Sequence, residues 1–154
     1  VNMDNGLEFL AGSAHGRAAV YEYCSTVFKM PPDETFIGVT AKILPHREAY
    51  AAETGNQKMQ DGVKELKEYA DSEEGSDQNM LLDMLNSQFT TLFLLGDASI
   101  ASCESVYRSP DRMMKQKTWE EVMTDYHIGS FKLTASFKEQ EDHIAAELMF
   151  MEEM

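Results

Sequence analysis

Cysteine is scarce: Cys24 and Cys103 are the only two among 154 residues, and they share no Cys-x-x-Cys spacing. A disulfide framework or a zinc ribbon needs more of them, so two unbridged thiols in a reducing compartment are expected. Long apolar runs are missing as well. The longest, Leu92 to Leu95, falls far short of a membrane span. Residues 1 to 15 hold Asp4 and Glu8 and no Lys or Arg, so they lack the basic-then-apolar order of a signal peptide. Positive charge is in short supply too, with 13 Lys and Arg against 27 Asp and Glu, a net charge of −14. Such a surface repels phosphate, which argues against nucleic acid and favours cationic partners, although the same excess also serves plain solubility. There is no P-loop, G-x-G-x-x-G, H-E-x-x-H, EF-hand loop or G-x-S-x-G elbow. A soluble, intracellular, acidic protein is expected.

Apolar residues make up 43% of the chain, enough to bury a core, and they recur with helical period. Leu7, Leu10, Ala14, Ala18, Tyr21, Cys24 and Phe28 step by three or four along one helix, which Met30-Pro31-Pro32 stops. Pro32-Asp33-Glu34 opens a second, with Phe36, Val39 or Thr40, and Ile43 on its stripe and Pro45 expected to close it. A third segment starts near His46 and meets the turn Thr54-Gly55-Asn56, after which Met59, Val63, Leu66 and Tyr69 mark another helix. Residues 71–77 read as an acidic linker, and Ser76 or Asp77 can cap the next helix. That helix carries Met80, Leu81, Met84, Leu85, Phe89, Leu92 and Phe93 around so much of its circumference that it is expected at the centre, ending at Gly96-Asp97. Ser109-Pro110-Asp111 looks like a helix start, and Thr118-Trp119-Glu120-Glu121 like a capping box ahead of Val122, Met123 and Tyr126, with Gly129 as the stop. Residues 130–141 are irregular, and Asp142 is expected to start a last helix with Ile144, Leu148 and Met151 on one face. No strand-like alternation and no internal repeat is found. The fold class is all-α, with six or seven helices.

Few residues suggest catalysis or metal binding. Cys24 with a histidine would make a nucleophile pair, but Cys24 sits on an apolar stripe. Glu139, His143 and Glu147 fall at i, i+4 and i+8 and resemble metal ligands, yet Gln140 breaks the Glu-x-x-His pattern of di-iron sites, and a solvated polar face is the competing reading. Eleven methionines suit a surface that accepts varied apolar peptides, and they equally suit a helical core.

Three segments in order carry a resemblance: Phe89-Thr90-Thr91-Leu92-Phe93, then Glu104-Ser105-Val106-Tyr107 ahead of Arg108-Ser109-Pro110, then Glu139-Gln140-Glu141-Asp142-His143 running into Ile144 to Met151. Together with Arg17 to Tyr21 and Met30 to Glu34, they make the chain similar to the TorD/DmsD family of cytoplasmic redox-enzyme maturation chaperones. Gln140 stands where that family's Glu-Pro-x-Asp-His motif has proline, and Ala101-Ser102-Cys103 stands where proline is also common. The resemblance implies an all-helical, TorD-like chaperone without catalytic activity or cofactor. It would bind the twin-arginine signal peptide of a molybdoenzyme precursor, partner the apo-form of that molybdenum-dependent oxidoreductase, and assist maturation before export. Guanine-nucleotide binding, described for some members, finds no P-loop here. The competing class is a non-catalytic helical subunit or oligomerisation module of a larger complex.

Carried over by motif, Phe89, Leu92 and Phe93 line or support an apolar groove, with core packing as their competing role. Glu104 and Tyr107 sit at a loop rim, or only tie the loop. Glu139, Asp142 and His143 contact the peptide at the start of the last helix, where Asp142 also serves as a cap. Residues 1–135 are expected to form an N-terminal helical domain, and 136–154 a hinge motif and the start of a further helical region. Leu148, Met149, Phe150, Met151 and Met154 crowd a helix that ends without a stop signal, so the chain reads as cut short. That helix, lacking C-terminal partners, is expected to stay unburied and to dock on another copy as a homodimer or remain mobile.

Overall fold

The computed structural model describes the backbone of residues 3–72, 77–95 and 99–154, and the side chains from residue 12 onward within those ranges. All regular structure among them is helical: α1 (Met3–Lys29), α2 (Glu34–Thr54), α3 (Gln57–Ala70), α4 (Gln78–Phe89), a π-helical segment (Thr90–Leu94), α5 (Glu104–Arg108), α6 (Lys117–Ile128) and α7 (Ile144–Glu153). The chain divides into two compact units, Val1–Met30 with Ile100–Met154, and Pro31–Ser99.

The first unit holds the main core. Val122 and Tyr126 of α6, Phe131 and Phe137 of the following loop, and Ala145 and Ala146 of α7 are buried together, with Phe28, Met149 and Phe150 packed against them. Tyr126, Phe131 and Phe150 form a ring triad with centroids 4.9, 5.1 and 5.5 Å apart. A Cβ on Gly129 would lie 2.5 Å from Phe150 Cε2, so this helix end needs glycine for space rather than for its φ. Along α1, Ala18, Tyr21, Cys24 and Phe28 are half-buried as the stripe predicts, Ala14 is exposed against it, and Leu7 and Leu10 have side chains outside the described ones.

α7 departs from expectation. It packs along α1 within this unit, with Ala145 and Ala146 buried and Leu148, Met149 and Phe150 half-buried, so of the expected face Leu148 alone is covered. Its start differs as well: Asp142 is not the N-cap, and His143 is, its Nδ1 accepting from Ala145 N at 3.1 Å. Ile144, Met151 and Met154 stay exposed. Two other starts are also corrected. Pro110 drives Ser109 into an extended conformation, which ends α5 instead of opening a helix. Thr118 lies buried inside α6, whose N-cap is Gln116, so the capping box does not form.

The second unit is a helical hairpin with a third helix. Asp33 caps α2 by accepting from Phe36 N at 2.8 Å. α2 then runs through Pro45 to Thr54, where Gly55 at φ 64 closes it. Proline removes one internal hydrogen bond, and the rest of a 21-residue helix continues around it. Asn56 caps α3, and Asp77 caps α4 by accepting from Asn79 N and Met80 N. Asn86 Nδ2 donates to Pro32 O at 3.1 Å, tying α4 to the start of the unit. Residues 73–76 of the acidic linker, Ser76 among them, and the Gly96-Asp97 stop lie outside the described residues. The apolar circumference of α4 does not place it at a centre: Leu81 is its one buried residue, and Met80, Leu92, Leu94 and Leu95 are exposed.

Candidate functional site

Two of the three motif segments meet in the first unit. Cys103 and His143 form an isolated antiparallel bridge, in which Ile144 N donates to Ser102 O at 2.7 Å and Glu104 N to Asp142 O at 2.9 Å. Asp142 is fully buried, and its Oδ2 accepts from Ser105 N at 2.9 Å. This carboxylate therefore satisfies a free N–H in the first turn of α5, where the helix dipole favours negative charge. The same reach explains why it does not cap its own helix. The segment is pinned from the other side by Glu141: its Oε2 accepts from Trp119 Nε1 and its carbonyl from the Tyr126 hydroxyl, both at 2.9 Å. Phe137 packs edge-on against the His143 ring.

Negative charge concentrates here. Glu147, half-buried on α7, has its carboxyl pushed up to about 7, first by burial and then by the neighbouring Glu104 and Asp142, with Arg108 working the other way. Ser105 Oγ, Gln140 Oε1, Asp142 Oδ1 and Glu147 Oε1 are buried with no hydrogen-bond partner among the described residues. Burial also raises the Cys103 thiol to about 11, with Asp142 and Glu139 adding to it. His143 is shifted down by burial, in keeping with an Nδ1 that acts as acceptor and so carries no proton. Arg108 is the nearby cation, held by Glu104 at 3.0 Å and Glu121 at 3.5 Å.

Of the residues expected at the site, Glu104, Asp142 and His143 are brought together by this backbone pairing. Glu104 is one-third exposed, Glu139 and Tyr107 are exposed, and Asp142 and His143 are interior. Glu139 belongs to the loop before α7, so Glu139, His143 and Glu147 share no helix face, and no metal cluster occurs among the described residues. Neither cysteine is in a disulfide.

Phe89, Leu92 and Phe93 belong to the second unit. Their motif straddles the change from α to π helix, where Leu95 N reaches back to Thr90 O at 3.0 Å. Phe89 and Phe93 meet with tilted rings, centroids 5.0 Å apart, and Leu92 is exposed, so core packing is not the role of Leu92 within this unit. Sequence spacing singles out Glu147 only as a candidate metal ligand, and it misses the part that Glu147 and Ser105 play in this charged junction. A carboxylate seven residues beyond Gln140 gives no local signal of the charges that surround it. It also misses a cleft of about 490 Å³ between α2 and α3, floored by Ala51 and Ala52 and flanked by the Lys67–Glu48 ion pair.

No helix among the described residues is long and apolar enough to cross a membrane. No curated protein and no solved structure matches the chain. The family model described as nitrate reductase delta subunit matches residues 53–154, a span that contains all three motif segments. Its members are non-catalytic chaperones of molybdoenzyme maturation rather than enzymes. On that match, which covers well over half of it, the chain belongs to the nitrate reductase delta subunit family of NarJ/TorD-type chaperones.

Proposed function

We propose that this chaperone binds the twin-arginine signal peptide of a molybdoenzyme precursor in the cytoplasm and holds it during maturation. The observation that carries the reading is the excess of carboxylates where α5 meets α7: Glu104, Glu139, Asp142 and Glu147, with Arg108 as the nearby cation already paired. A guanidinium held by the solvent-facing carboxylates of this field relieves like-charge repulsion and supplies charge-assisted donors. Glu104 and Glu139 are the groups that meet solvent, so they make first contact, and Asp142 and His143 hold the two strands of the junction in place behind them. Tyr107, exposed on α5, adds an aromatic face for an arginine. Taken by itself, the Pro31–Ser99 unit offers the exposed Leu92, Leu94 and Leu95 beside the tilted Phe89–Phe93 ring pair as an apolar surface suited to the apolar stretch of such a peptide.

Fluorescence anisotropy of a labelled twin-arginine peptide tests this at two salt concentrations. Glu104→Gln and Glu139→Gln should each weaken binding about 2- to 5-fold, since exposed charge contacts contribute ~0.5–1 kcal/mol. Replacing both arginines of the peptide by glutamine should cost more than either variant, and the salt dependence should shrink with each lost charge. Equal binding of the glutamine peptide would sink the proposal.

A further inference from the structure

The loop between α5 and α6 inverts the charge of the chain. Residues 108–117 read Arg-Ser-Pro-Asp-Arg-Met-Met-Lys-Gln-Lys, a local balance of +3 in a protein of −14. Every residue from Pro110 to Lys117 is exposed, and Met113 and Met114 each leave 55% of their surface to solvent. The methionine pair is bracketed by Arg112 at φ 53 and Lys115 at φ 57, two of the three non-glycine residues with positive φ among the described ones. Glycine would adopt this backbone without strain, whereas a long cationic side chain does so at a cost. Arg108 and Lys117 are engaged with Glu121, but Arg112 and Lys115 make no ion pair among the described residues. Ser109 Oγ accepts from Met113 N at 3.3 Å and helps hold the turn.

We infer that this loop is a second docking surface, for an acidic amphipathic segment of a protein partner, distinct in chemistry from any cationic peptide. The charge selects the partner. Two unpaired cations on either side of two polarizable, unbranched side chains match an apolar face flanked by carboxylates, and methionine adapts to varied apolar shapes. An anionic membrane is the less favoured occupant. Surfaces that dock on lipid present four to eight free basic residues, commonly with large aromatic or leucine anchors. Here two cations are free, no aromatic stands between them, and the remainder of the chain is strongly acidic. Self-association is disfavoured by the same net charge.

A labelled helical peptide with leucine on one face and glutamate on the flanks is the probe, with a lysine-for-glutamate counterpart as control. The wild-type chain should bind the acidic peptide, and the counterpart at least tenfold more weakly. Binding should fall about tenfold in Arg112→Glu/Lys115→Glu and in Met113→Ser/Met114→Ser, and should weaken as salt rises. Arg112→Gly/Lys115→Gly separates docking from folding: it should lose binding while the thermal midpoint holds or rises, because glycine relieves the backbone. Binding of the twin-arginine peptide should be unchanged in Met113→Ser/Met114→Ser and should not fall in the two charge variants, so the two surfaces are read independently. The inference is overturned if wild type and variants bind the acidic peptide alike. It is equally overturned if the only property these variants lose is sedimentation with phosphatidylglycerol vesicles, or the only one is dimerisation in ultracentrifugation.

Discussion

Asp142 shows how far a side chain's role depends on what lies across from it. Next to a helix start it reads as a cap, yet its Oδ2 takes the N–H of Ser105, 37 residues earlier in the chain. Asp142→Ala strands that donor in a fully buried place, and denaturant titration should find a loss of ~1–3 kcal/mol. Asp142→Asn keeps an acceptor oxygen and should lose less than half as much. A loss for asparagine equal to that for alanine would mean that charge, not the hydrogen bond, is what Asp142 supplies. Glu147 and His143 give stability opposite pH dependences. Glu147 has its pKa raised from 4.5 to about 7 in the fold, so the stability it brings is present below pH 4.5 and is lost as pH rises through 7. The pKa of His143 is lowered from 6.5, so its contribution is present above pH 6.5 and declines as pH falls below it. Glu147→Gln, which cannot ionise, should therefore stabilise the protein by ~1–2 kcal/mol at pH 8 and by little at pH 5. The check is denaturant unfolding at both pH values. A gain at pH 5 as large as that at pH 8 would contradict the assignment.

At the scale of the helix, local signals prevail where the chain punctuates itself, and packed neighbours prevail elsewhere. Pro31-Pro32, Asp33, Gly55, Asn56 and Asp77 act as their chemistry dictates, because a cap or a break involves only three or four adjacent residues. Pro45 is the exception that shows the limit. A proline lowers helix propensity, but it does not by itself outweigh the capped turns on either side. Pro45 is exposed and its neighbours are already helical, so Pro45→Ala should stabilise the protein by ~1–3 kcal/mol, visible as a raised thermal midpoint. No change would indicate that the helix has adapted fully to the ring. The π-helical segment at Thr90–Leu94 was not legible at all. One extra residue in a turn follows from side-chain packing rather than from composition, and it determines which of Phe89, Leu92 and Phe93 meets solvent.

Burial is uneven across the whole molecule. The unit containing α6 and α7 buries an aromatic cluster, whereas Ala51 and Leu81 are the residues that the Pro31–Ser99 unit buries among those described. Hydrogen exchange should accordingly be slowest at Val122, Tyr126, Ala145 and Ala146 and faster through α2 to α4, as mass spectrometry of peptic fragments can establish. Equal protection in α3 and α6 would contradict that ordering. The helical class, the acidic balance, most helix limits and the order of the three motif segments are legible along the chain, because periodicity, charge and capping are properties of neighbouring residues. That α7 lies against α1 with its alanines inward, that His143 rather than Asp142 caps it, and that Glu104, Asp142 and Glu147 share one electrostatic environment follow from the fold alone. Those outcomes depend on pairings between residues tens of positions apart, where a single hydrogen bond or a fraction of a helical turn changes which face is buried.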